Sequence, residues 1–85
     1  MDTLVTERLR EFVVCTYLLG DVSRTPADDA LLIEEGILDS IGVLEIIEFL
    51  EEEFGIEVEE AETVSANLGS IAGLARYVLS KRSAA

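Results

Sequence analysis

Apolar positions along this 85-residue chain fall into three helical stripes, with one long irregular stretch after the first. Val5, Leu9, Phe12, Val13 and Thr16 recur at i, i+4, i+7, i+8 and i+11, the pattern of one helix face, and predict a helix over residues 3–18. Glu7, Arg8, Arg10 and Glu11 lie mostly on the other face. Asp2 or Thr3 suits its start, and Gly20 stands just past its end, where a left-handed residue often stops a helix. Val43, Ile46, Ile47, Leu50 and Phe54 predict a second helix over residues 40–54, with Glu45, Glu48, Glu52 and Glu53 outward and Gly55 as its stop. Ile41 and Leu44 fall between its two faces. Ile71, Leu74, Ala75, Val78 and Leu79 predict a third helix over residues 70–81, started by Ser70. Arg76, Lys81 and Arg82 sit toward its C-terminal end, where cations suit the helix dipole.

Residues 19–39 form a connection too long for an ordinary turn, and such loops are usually functional. Leu31, Leu32, Ile33, Ile37 and Leu38 predict that it is pinned to the core, with Gly36 supplying a turn that faces Ile37 and Leu38 inward. A short helical turn fits within it. Ile56-Glu57-Val58 alternates like a strand but has no pairing partner, so it reads as an extended linker. Residues 61–67 suit one short helical turn, and residues 83–85 a frayed tail. The expectation is an all-α fold: one domain over residues 1–85, a small four-helix bundle of three main helices and one short one, with a long loop between the first two.

Charge changes the picture. Eighteen acidic residues stand against six basic ones, a formal net charge of −12. No Lys or Arg occurs between Arg24 and Arg76, a stretch that holds fourteen acidic residues. Such a surface repels nucleic acid and anionic membranes, steers partners that carry basic patches, and favours a monomer. Its self-repulsion predicts a salt-sensitive fold. Cys15, the one cysteine, excludes an intramolecular disulfide; Val13, Val14 and Tyr17 beside it predict a small core residue. The N-terminal residues lack a signal-peptide pattern, and no apolar run approaches the ~20 residues of a membrane span, so a cytoplasmic protein is expected.

Candidate chemistry narrows sharply because histidine is absent. A serine nucleophile needs a base within hydrogen-bond reach, and the usual zinc sites need Cys and His. No EF-hand spacing and no glycine-rich phosphate loop occur, so neither a metal site nor catalysis by this chain is expected. Ser40, in the run Glu34-Glu35-Gly36-Ile37-Leu38-Asp39-Ser40-Ile41, stands at a helix start with nothing nearby to activate it. That suits an attachment point better than a nucleophile. A helix start offers unpaired N–H groups and the positive end of the dipole, good ground for a phosphate ester. Serine is also a preferred N-cap anywhere. Here Val43 occupies the place where a capping box needs Glu or Gln, and Asp39 can cap instead, leaving the Ser40 hydroxyl to solvent.

These residues carry a resemblance. Glu35-Gly36-Ile37-Leu38-Asp39-Ser40-Ile41, then Leu44-Glu45, Glu51-Glu52-Glu53-Phe54-Gly55-Ile56 and Leu68-Gly69-Ser70-Ile71, together resemble an acyl carrier protein across nearly the whole chain. The resemblance implies a four-helix bundle with a long first loop. It implies 4′-phosphopantetheine, transferred from coenzyme A to Ser40 by a phosphopantetheinyl transferase that also recognises Asp39. It implies docking of loading ligases, synthases and transferases on the second helix, at Ile41, Leu44, Glu45, Glu48 and Glu52. Members of fatty-acid synthesis usually carry Leu or Met and then an acidic residue after the serine, where this chain has Ile41 and Gly42; an apolar residue is common where Glu48 stands. Gly-Ile-Leu-Asp-Ser-Ile resembles specialised acyl and aminoacyl carriers of secondary metabolism at least as much. The expected function is to hold acyl or aminoacyl groups as thioesters and deliver them to partner enzymes. The alternative is an acidic helical adaptor for basic proteins, with no prosthetic group.

Overall fold

The computed structural model describes residues 3–84; the caps expected from the Asp2 or Thr3 side chains, and the tail residue Ala85, lie outside the described features. Helices α1 (Thr3–Tyr17), α2 (Ser40–Phe54) and α4 (Ile71–Ala84) are long, and α3 (Ser65–Leu68) is a single turn. No strand occurs among the described residues. The chain is all-helical, and Ile56-Glu57-Val58 is an unpaired extended segment held by a Val58 N–H bond to the Glu51 carboxylate at 3.0 Å.

Each stripe reaches the core where its spacing holds. Val5, Leu9 and Val13 of α1, Ile46 and Leu50 of α2, and Ile71, Leu74 and Val78 of α4 are almost wholly buried in one cluster. Val43, Ile47, Phe54 and Leu79 are half-buried at its edges. Two expectations for α1 fail. Thr16 is exposed, because its hydroxyl has no place on an apolar seam and the helix ends one residue later. Cys15 is exposed as well. It lies two residues from Val13, roughly 200° round the helix, so buried Val13 forces Cys15 outward. Val14 and Leu18 are the buried neighbours instead.

α1 stops where expected, by a slightly different device. The Gly20 N–H reaches back six residues to the Val14 carbonyl at 3.0 Å, one residue further than the closing bond of a Schellman motif. Both Leu19 (φ +54°) and Gly20 (φ +81°) are left-handed, and the Leu19 side chain is exposed.

The long loop is strapped to two helices. Arg10 of α1 binds the Asp28 carboxylate, the Asp28 carbonyl accepts the Ala72 N–H of α4 at 2.7 Å, and the Leu32 N–H donates to the Gly69 carbonyl at 2.8 Å. Leu32 is fully buried. Leu31 and Ile33 point out, because three successive residues cannot all face one core. Gly36, at φ +75°, makes the expected turn that half-buries Ile37 and buries Leu38. The helical turn that fits within the loop is a 3-10 turn at Val22–Arg24.

The turn expected over residues 61–67 is split. A 3-10 turn at Glu60–Glu62, stabilised by a reciprocal Glu59/Glu62 capping box, is followed by α3. Ser70 caps α4 by accepting the Gly73 N–H at 3.0 Å. α4 continues past Lys81 to Ala84, since nothing after Lys81 breaks a helix and alanine favours one. Its stripe also includes Tyr77, buried with its hydroxyl on the Glu62 carboxylate at 2.8 Å.

α4 packs closest to α1 and α3. α2 meets α1 through longer side chains. Phe49 stacks on Phe12 with ring centres 4.0 Å apart, Phe54 and Tyr17 meet this pair edge-on, and Arg8 pairs with Glu53.

Candidate functional site

The last residues of the loop and the first turn of α2 build the site. Asp39 is the N-cap: its backbone is extended (φ −125°, ψ −172°), and its Oδ1 accepts the Gly42 N–H at 2.8 Å. Its carbonyl accepts the Val43 N–H at 3.1 Å. The capping role therefore falls to Asp39, and Ser40 is the first helical residue, exposed, with its hydroxyl unbonded among the described residues. The N–H groups of a helix's first turn point outward and carry the positive end of its dipole.

Ile41 and Leu44, next along α2, are 69% and 62% exposed, so both lie on the surface rather than in the core. Glu45, Glu48 and Glu52 are exposed on the same side of α2. With Phe12, Thr16 and Phe49 these three glutamates line a groove of about 260 Å³ along the α1–α2 seam. A second groove of about 290 Å³ lies beside Ser40, between Tyr17, Gly36, Ile37, Leu38, Asp39, Ile41, Gly42 and Glu45. The structure thus brings Asp39, Ser40, Ile41 and Glu45 to one end of the seam and sets Glu48 and Glu52 further along it.

Sequence reasoning missed Tyr17. It closes α1, yet its hydroxyl lies 2.9 Å from a Glu45 carboxylate oxygen and 3.2 Å from the Gly42 carbonyl. Burial, and then the Glu45 carboxylate, push its phenol well above the ordinary tyrosine range, so it remains a donor. A tyrosine and a glycine 25 residues apart carry no joint signal in a single sequence. Among the described residues no group of three or more His, Cys, Asp or Glu side chains is placed to hold a metal ion, and no helix is long and apolar enough to cross a membrane.

The site is a small helical domain's exposed, unbonded serine hydroxyl at a helix start, beside exposed carboxylates on α2. A family model for the phosphopantetheine attachment site matches residues 13–78, most of the chain, and the protein belongs to that family. Its members carry a covalently attached 4′-phosphopantetheine and interact with enzymes such as transferases and synthases. No curated protein matches the chain. The site fits the group: the Ser40 hydroxyl is open to solvent, and the cap leaves it free by taking up the Gly42 N–H with Asp39.

Proposed function

We propose that Ser40 is the residue that takes the 4′-phosphopantetheine arm, and that the protein holds acyl or aminoacyl groups as thioesters for partner enzymes without catalysing a reaction itself. The observation that carries this reading is the division of labour at the start of α2. Asp39 does the capping, so the Ser40 hydroxyl is left for chemistry. A serine kept only as a cap would have its oxygen on a backbone N–H, as Ser70 does in α4. When bound, the arm supplies a thiol that carries the cargo on a flexible tether. Ser40 provides the ester oxygen, and the first turn of α2 offers its N–H groups and dipole to the phosphate.

Ile41 and Leu44 form the apolar part of a docking face, and Glu45, Glu48 and Glu52 its charged part. Partners with basic patches, among them a phosphopantetheinyl transferase, a loading ligase and downstream synthases, are steered by this field and released quickly. Tethering replaces a search through solution by an effective concentration in the millimolar range. The protein acts in the cytoplasm as a monomer, one domain over residues 1–85 folded as a four-helix bundle. The Gly-Ile-Leu-Asp-Ser-Ile run favours a specialised acyl or aminoacyl pathway over bulk fatty-acid synthesis.

Intact-protein mass tests the reading. The chain is incubated with coenzyme A, magnesium and a broad-specificity phosphopantetheinyl transferase, beside Ser40→Ala. A gain of one arm in the wild type and none in the variant is expected. Gain in both moves the site elsewhere. Gain in neither, with both chains folded, returns Ser40 to a structural role and favours the adaptor.

A further inference from the structure

We infer that Tyr17 is a positioning residue for the turn that carries Ser40, and that Gly42 is the receptor that lets it act. The inference rests on the reading of Ser40 as the attachment site and names what holds that site in place.

Gly42 is a poor choice for a helix's first turn by propensity, at up to about 1 kcal/mol worse than alanine. Its surroundings explain it. Gly42 is buried, and a Cβ added to it would stand 2.9 Å from Leu38 Cδ2, 3.5 Å from Tyr17 Cε1 and 3.5 Å from Asp39 Oδ1. The bare face of the glycine is where the Tyr17 ring and Leu38 settle. The same glycine donates its N–H to the Asp39 cap, and its carbonyl lies within reach of the Tyr17 hydroxyl. Tyr17 also reaches Glu45, one helical turn further on. One hydroxyl from α1 thus shares its single proton between two successive turns of α2, nearer Glu45, at the point where Ser40 begins the helix. Displacing that ring frees the Asp39 cap and lets Ser40 sample orientations other than the one presented. An exposed hydroxyl that must meet a partner's active site loses rate when its orientation spreads.

Tyr77 provides an internal control, because it makes the same kind of tyrosine–carboxylate bond, to Glu62, away from α2. Amide hydrogen exchange at position 42 is measured for wild type, Tyr17→Phe, Tyr77→Phe and Gly42→Ala, corrected for each variant's global stability. Tyr17→Phe keeps the ring and removes the hydroxyl; it is expected to speed this exchange about five- to ten-fold, the worth of one such hydrogen bond. Tyr77→Phe is expected to leave it unchanged. Gly42→Ala is expected to speed it too, although alanine is the better helix former. Unchanged exchange in Tyr17→Phe, an equal rise in Tyr77→Phe, or slower exchange in Gly42→Ala overturns the inference. In the transferase assay, Tyr17→Phe should lower kcat/KM for arm transfer several-fold, because it loosens the turn that carries Ser40 and also frees Glu45 of the docking face. If the wild type takes up no arm, the reading of Ser40 falls, and the exchange comparison still decides the role of Tyr17.

Discussion

Arg10 grips Asp28 across the loop with one guanidinium nitrogen, 2.7 Å from one carboxylate oxygen and 3.0 Å from the other. The backbone of the same aspartate accepts the Ala72 N–H of α4, so one loop residue joins the first helix to the last. Both side chains are partly open to water, which limits the energy of the pair.

Arg10→Met is therefore expected to change global stability by less than about 1 kcal/mol. Its effect should be local. Exchange of the Ala72 and Leu32 amides, the two straps of the loop, should quicken more than that of the core amides, as native-state hydrogen exchange would show.

Asp39→Ala removes the α2 cap and is expected to lower stability by about 1 kcal/mol in urea denaturation. Asp39→Asn keeps an acceptor oxygen and should retain most of that stability. A loss as large in Asp39→Asn would assign the aspartate a role that needs its charge.

Both tyrosines of the chain bond a carboxylate, and both phenols are raised, Tyr77 to about 12 by burial and then by Glu62. A group raised in the folded state stabilises fully below its unfolded pKa and loses that contribution as pH rises through the folded value. The folded protein should thus show little phenolate absorbance at pH 10, where the urea-unfolded chain is half-ionised. Stability should fall between about pH 10 and pH 12. Glu62 behaves in the opposite sense. Hydrogen bonds from Lys81 and then Tyr77 hold its carboxyl below the usual range. Its contribution is present above the unfolded carboxylate pKa and is lost as pH drops through the lowered one, so Glu62→Gln should flatten the acid limb.

Salt should stabilise the fold. The unbroken acidic stretch repels itself, and raising ionic strength from about 0.01 M to about 0.15 M shortens the screening length from roughly 30 Å to roughly 8 Å. A rise in Tm is expected. A fall would mean that the pairs Arg8–Glu53, Arg10–Asp28 and Lys81–Glu62 outweigh the repulsion.

The helices and much of the site's raw material were legible because they are local. Val5, Leu9 and Val13, or Ile71, Leu74 and Val78, announce a face by spacing alone, and Asp39-Ser40 before an apolar stripe announces a helix start with a spare hydroxyl. Cys15 misled because its residue type favours burial while its angle on the helix forbids it. Thr16 misled because the residues buried at the end of α1 are Val14 and Leu18, while Thr16 between them turns to solvent. Tyr17 on Gly42, Arg10 on Asp28 and Glu62 on Tyr77 were out of reach for another reason. Each joins residues that only the folded chain brings together, and no periodicity records such a meeting.

The rings on the α1–α2 seam, Phe12 stacked on Phe49, lie outside a deeper aliphatic contact, because Ile46 and Leu50 of α2 are buried in the common core. A pull applied at Ser40 enters α2 and is met at three levels: Tyr17 at its first turns, Ile46 and Leu50 at its middle and Arg8 on Glu53 near its end. The serine thus stands on an anchored post, and load placed on it passes into the whole frame.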